Sequence, residues 1–142
     1  MSTRLYESIM KLWDGSRLAD LFTGGIWHSI APAETEYPYV VIVPVSNEAV
    51  TWTESSEIRR QSLQLTIFDT DDGQIDPVSK MGTFLKRVTD VFDQAPLEMP
   101  NSSGIILDVR RIRDNVTKDG RTKNVWMAMV EYKVKRVLPR VR

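Results

Sequence analysis

RRQSLQLTIFDTDDGQIDPVSKMGTFLKRVTDVF, residues 59–92, changes its period halfway along. At first Leu63, Leu65 and Ile67 alternate with Gln64 and Thr66, the two-residue period of a strand with one buried face. An acidic turn, DTDDGQ, follows. Asp76–Pro77 then supplies a helix start: a carboxylate to accept from the first free amides, and a proline at the first helical position, where its missing N–H costs nothing. Val78, Met81, Leu85, Val88 and Phe92 recur at steps of three and four, an apolar stripe along one helix face. The helix is expected to stop near Gln94, ahead of Pro96. A strand that turns into a helix with a single apolar stripe calls for a sheet face that the stripe can cover.

The rest of the chain supplies that sheet. GIILDVRRIRDNV (104–116) places Ile105, Leu107 and Val109 on one face. NVWMAMVEYKVKRV (124–137) places Trp126, Ala128, Val130, Tyr132 and Val134 on one face, with Lys133 and Lys135 on the other. Between them KDGR (118–121) carries Asp-Gly, a tight-turn signal for a hairpin. Upstream, YVVIVPVS (39–46) is apolar on both pleat faces, so both faces call for cover. Pro44 has no amide to donate, which predicts an edge or a bulge near the end of that strand. Pro38 biases Tyr37 towards extended backbone, and IWHSIAP (26–32) reads as a short extended run. At the N-terminus, Leu5, Ile9 and Leu12 share a helix face within 3–13. Ser16 is placed to cap a short second helix, SRLADLF (16–22), with Leu18, Leu21 and Phe22 turned inward. Gly24–Gly25 ends it. NEAVTWTESSEI (47–58) reads as a polar, acidic loop with Val50 and Trp52 in its middle.

The element order, two helices, three strands, a helix and two strands, predicts an α+β fold: a single antiparallel-rich sheet of four to five strands with helices packed on one face. Residues 1–142 read as one domain with a short basic tail at 137–142. A chain of 142 residues buries roughly 68–70% of its unfolded surface, enough for an ordinary core. The sequence has no Cys, which excludes disulfides and thiolate metal sites and fits a reducing compartment. The longest aliphatic run, VVIV at 40–43, is far short of the ~18–20 residues that span a bilayer, so no membrane role is expected. The opening MSTRLYESIMKLWDG lacks the continuous apolar segment of a signal peptide.

Net charge is zero with 19 Lys/Arg and 19 Asp/Glu, yet it is unevenly spread. Residues 1–100 hold 8 basic against 15 acidic side chains, and residues 101–142 hold 11 against 4. Either the halves neutralise each other within the fold, or a basic surface serves a polyanion or an acidic partner.

Candidate chemistry is sparse. Asp69, Asp71, Asp72 and Asp76 cluster around the turn, but they lack the alternating ligands and late Glu of a calcium loop, and Asp76 is better used as a helix cap. His28 is the only histidine, and no nucleophile elbow accompanies it; a packed or surface role is expected. No cofactor or catalytic residue is predicted. Arg110, Arg111, Arg113, Lys118, Arg121 and Lys123 surround the predicted basic hairpin. It suits a DNA backbone or an acidic surface, without sequence-specific readout. Trp52, an aromatic in polar surroundings, suits a protein interface. The alternative is that its loop folds back onto its own domain.

Several stretches together resemble the tail completion, or tail terminator, proteins of long-tailed bacteriophages and gene transfer agents. These are LADLFTGGIW; APAETEYPYVVI, where a Pro-containing loop leads through Tyr-Pro-Tyr into an apolar strand; RRQSLQLTIFDTD followed by the helix VSKMGTFLKRVTDVFD; and the closing VWMAMVEYKVKRV. The resemblance spans most of the chain, and element order carries it more than any single motif. The 47–58 segment and the long basic hairpin depart from it. The resemblance implies a non-enzymatic virion protein at the head–tail junction, assembled in the host cytoplasm. It implies a ring, hexameric in this family, that caps the tail tube, ends its polymerisation and joins it to the head connector. The implied partners are further copies of itself, the major tube protein, the connector or stopper, and DNA passing through the channel. On that basis Val50, Trp52, Glu54, Tyr37 and Tyr39 are candidate subunit or partner contacts. Arg111, Arg113, Lys118, Arg121 and Lys123 are candidates for an axial partner or the channel. Another head–tail connector or minor tail protein is the alternative reading; a small carboxylate enzyme is the weakest.

Overall fold

Strand-forming periodicity in four long segments produces one sheet. In a computed structural model, residues 3–52, 56–71, 73, 76–93, 105–118 and 124–139 are described, with side chains at 6–45, 57–71, 73, 76–93, 109–118 and 124–137. The chain runs α1 (Thr3–Gly15), α2 (Leu18–Leu21), β1 (Ile26–His28), β2 (Tyr39–Trp52), β3 (Ser56–Thr70), α3 (Pro77–Phe92), β4 (Ile105–Lys118) and β5 (Val125–Pro139). The sheet order is β1-β2-β3-β5-β4. Only the β1–β2 pair is parallel; β2–β3, β3–β5 and β4–β5 are antiparallel. The fold is the α+β arrangement expected.

Val40 and Ile42 of β2, Leu63, Leu65 and Ile67 of β3, and Ala128, Val130, Tyr132 and Val134 of β5 form one face of the sheet. Against it pack Ile9 and Trp13 of α1, Leu18 of α2, Phe22, and Met81, Phe84, Leu85, Val88 and Phe92 of α3. Trp13, Phe22 and Phe84 form a chain of tilted ring contacts at 5.7 and 5.3 Å, within the centroid range of favourable aromatic pairs. Asp76 caps α3, accepting from the Val78 amide at 3.1 Å and from the Ser79 hydroxyl at 3.1 Å. Two clamps fix this helix to the sheet. At its start Lys80 pairs with buried Asp69 at 2.7 Å; past its end the Tyr132 hydroxyl donates to Asp93 at 2.7 Å.

The sheet departs from the sequence reading in instructive ways. Val78 is not in the inward stripe; it is 51% exposed, and Phe84 is buried at an inward position instead. The inward face of α1 centres on Ile9 and Trp13, with Leu12 only half-buried. The short helix starts at Leu18 rather than Ser16, although the Ser16 hydroxyl does accept from the Leu18 amide. The extended run 26–32 is a strand only as far as His28. Most consequentially, 47–52 and 56–58 are strand rather than loop, and residues 53–55 lie outside the described residues. β2 and β3 stay paired to Trp52↔Glu57, with register shifts at Pro44/Ser46 and Ala49/Thr51. The first shift fits the bulge expected near Pro44. β1 ends opposite Ile42, so from Val43 onward β2 is also an edge.

β4 carries two register shifts, at Ile106/Asp108 and Arg111/Arg113. Each extra residue reverses the alternation of the strand. Ile105 therefore sits opposite Val137 while Val109 sits opposite Val134, positions of opposite parity on β5. The single face expected for Ile105, Leu107 and Val109 is broken.

The loop before β2 depends on glycine. Gly25 has φ +81°, a left-handed conformation that glycine adopts without strain. Gly24 lies so close to the Glu36 carbonyl that a Cβ there would sit 1.8 Å from that oxygen. In return its amide donates to Pro38 at 3.0 Å, and the Trp27 indole donates to its carbonyl at 2.8 Å. The Tyr37–Pro38 peptide bond is cis.

Candidate functional site

The candidate contact residues occupy two ends of the sheet. β3 and β5 run antiparallel in unbroken register from Ser56↔Pro139 to Thr70↔Val125, so the β2–β3 and β4–β5 ribbons reach in opposite directions. At about 3.4 Å per residue this places their outer ends roughly 45–50 Å apart. Val50 and Trp52 belong to the end of the β2–β3 ribbon, beyond the rows that α3 covers. Tyr37 and Tyr39 do not join them. Tyr39 is in register with Phe68, which is in register with Met127 and through it with Thr117. These two tyrosines thus lie at the far end, near the row that crosses the sheet to Thr117 on β4. Glu54, Arg121 and Lys123 lie outside the described residues, as does the turn expected at Asp119–Gly120.

At the tyrosine end the face without helices carries an aromatic ladder. Tyr37 and Tyr39 are 5.4 Å apart, and Tyr39 stacks on Phe68 at 5.0 Å. Beside it an open groove of about 270 Å³ runs between Ser29–Ala31 and the side chains of Tyr39, Val41, Val43 and Phe68. Val41 is buried there while Val43 is half-exposed. The second face of VVIV is therefore covered only in part.

The shift at Ile112 separates two arginines that simple alternation would put together. Arg111 lies opposite Tyr132 and reaches Asp93 at 3.3 Å and Asp114 at 3.4 Å. Arg113 lies opposite Glu131 and pairs with it at 3.7 Å on the other face. Arg111, Arg113 and Lys118 are all exposed, and of these Arg111 belongs to the clamp on α3. Burial, and then the charge of Asp93 beside it, push the Tyr132 phenol far above its ordinary value, so it stays a donor to that carboxylate. At the other end of β5, Arg136 is 3% exposed on a row with Arg59 and near Glu57. Burial and the neighbouring Arg59 lower its pKa, and Glu57 opposes them.

The acidic turn is occupied by structural work. Asp69 holds Lys80, Asp71 accepts from the Gly73 amide at 2.9 Å, and Asp76 caps α3; Asp72 lies outside the described residues. Among the described residues no three His, Cys, Asp or Glu side chains converge as metal ligands. His28 is exposed and its ring lies tilted against Tyr6 at 4.7 Å. No helix among the described residues is long and apolar enough to cross a membrane. The sequence reading missed an open cleft of about 440 Å³ between α2 and α3. Its floor is Leu18, Leu21 and Val91, and Arg17, Arg87 and Asp90 are on its rim. The sequence pattern turns Leu21 inward, and the structure leaves it half-buried at this cleft.

The geometry thus offers edges, ribbon ends and an apolar groove, the features of an assembling part. Comparison with known proteins agrees. A chain in the structure titled "Virion of native gene transfer agent (GTA) particle" superposes with a TM-score of 0.70 at 10% identity, covering 96% of this chain and 99% of that one. At that identity the likeness is one of fold. No curated protein matches. The family model for tail completion protein gp17 matches residues 11–131, from α1 into β5, and this chain belongs to that family.

Proposed function

We propose that this chain closes the end of a phage-type tail tube, stops tube polymerisation and joins the tube to the head connector, as a ring of six copies around the DNA channel. Family membership makes it a structural component of a bacteriophage tail, and the match over 11–131 is the observation that carries the reading. The ring, the capping and the partners extend it. They draw support from the two long ribbons that reach out at opposite ends of one sheet, which suits a part gripping different neighbours at its two ends. In this reading Trp52 and the basic β4–β5 ribbon serve those neighbours, the tube protein and the connector. DNA passes without base readout, the work is structural rather than catalytic, and the protein resides in the virion after assembly in the host cytoplasm.

Tube length tests it. Purified protein is added to its cognate tube protein during polymerisation, and the tubes are measured by negative-stain microscopy. Shorter tubes, each with added density at one end, are expected. Tubes of unchanged length with bare ends would remove the capping role and favour a connector or minor tail protein.

A further inference from the structure

The uneven charge of the sequence becomes an uneven charge in space once the strand order is known. Residues 18–52 contain four carboxylates and no Lys or Arg. They form α2, β1 and β2, one side of the sheet. Residues 105–142 contain 11 basic side chains against four acidic ones, and they include β4 and β5, the other side. From β1 to β4 is four strand spacings, roughly 19 Å at 4.8 Å each. That is about two screening lengths at physiological salt, so the two edges do little to neutralise each other.

The acidic edge is also apolar. Of the large hydrophobic side chains that are exposed among the described residues, Ile30 (80%), Tyr37 and Val45 (53%) lie on it. Glu34 and Glu36 are exposed in the loop that leads to Tyr37 and β2, and neither has an ion-pair partner among the described residues. An apolar centre with a charged rim is the anatomy of a protein interface. On the opposite edge, Arg110 and Lys118 are exposed on the outermost strand, β4. Register shifts interrupt both β2 and β4, which discourages backbone zippering between edges and leaves recognition to side chains.

We propose that copies of this chain associate head to tail, the acidic β1–β2 edge of one against the basic β4 edge of the next. This rests on the ring reading and assigns the contact that closes the ring. In edge-to-edge contact a two-fold dimer would set each edge against itself, like charge on like. An edge-to-edge contact that joins the two different edges is heterologous, and repeated, it closes a ring.

The test uses two exposed-edge variants of the full chain. Glu34→Lys with Glu36→Lys makes both edges basic; Arg110→Glu with Lys118→Glu makes both acidic. Sedimentation at low salt across a concentration series reads association, and circular dichroism melts confirm folding. Wild type is expected to associate in a salt-sensitive way, and each variant alone about tenfold or more weakly. An equimolar mixture of the two is expected to regain association, because every contact then joins opposite charges. Variants that associate as wild type does, or a mixture that regains nothing, would overturn the edge assignment and leave the ring standing. A wild type that stays monomeric at every concentration also overturns the assignment; the tube-length assay judges the ring reading separately.

Discussion

Replacing Tyr132 by Phe removes one oxygen from the junction of α3 and the β4–β5 ribbon. The ring is 2% exposed and packs near Phe92 at 6.3 Å, so the substitution opens no cavity around the ring. What is lost is the 2.7 Å hydrogen bond to Asp93. A bond to a charged group contributes about 1.5–3 kcal/mol. The low end applies because the Asp93 side chain is 37% exposed and keeps Arg111 as a partner, so water and the guanidinium take up its oxygen. A loss of about 1.5 kcal/mol in a chain of this size lowers the melting temperature by roughly 5 °C. The pH dependence makes the test sharper. The Tyr132 phenol is raised above its ordinary value in the fold, so above about pH 10 the unfolded chain releases this proton while the folded one holds it. Fewer protons on the unfolded state means stability falls as pH rises. The contribution of Tyr132 is therefore present in full below about pH 10 and is lost above it. Paired thermal melts from pH 7 to 11 should show wild type more stable at neutral pH and the gap narrowing past about pH 10. A variant melting within about 1 °C of wild type at neutral pH, or a gap constant across the series, would refute the clamp.

Other substitutions probe different links. Gly24→Ala forces a Cβ onto the Glu36 carbonyl and should cost on the order of 3 kcal/mol, read by chemical denaturation. Val130→Asp puts a carboxylate at a site with 0% exposure between core strands and should leave little folded protein, a loss of about 4 kcal/mol or more, read by soluble yield and circular dichroism. Asp76→Ala removes the cap of α3 and should cost about 1 kcal/mol in a urea titration. Trp52→Ala, at the end of the β2–β3 ribbon, should leave the melting temperature unchanged and weaken assembly about thirtyfold if it anchors a neighbour; a large drop in monomer stability would show it tucked onto its own domain.

Periodicity showed the core plainly because burial imposes it. Leu63, Leu65 and Ile67, and Ala128 to Val134 on β5, alternate since one face meets helices, and Asp76–Pro77 announced α3 through cap chemistry. The same logic explains what stayed hidden. NEAVTW is polar and acidic around Val50 and Trp52, a composition shared with loops, so its strand is legible only from its pairing with β3. Bulges carry no fixed residue signature, yet the one at Ile112 decides that Arg111 clamps α3 while Arg113 faces the other way. The resemblance puts Tyr37 and Tyr39 in one candidate contact set with Trp52; only the register shows them at opposite ends. The charge asymmetry was legible, but its meaning waited on the strand order that places the two halves on opposite edges.

Electron microscopy of assembled particles carrying this chain with a small tag most directly tests its place in the tail. The account predicts one ring of label, six copies, where the tube meets the head. Label spread along the tube, label at the distal tip, or purified tails without it would contradict the account.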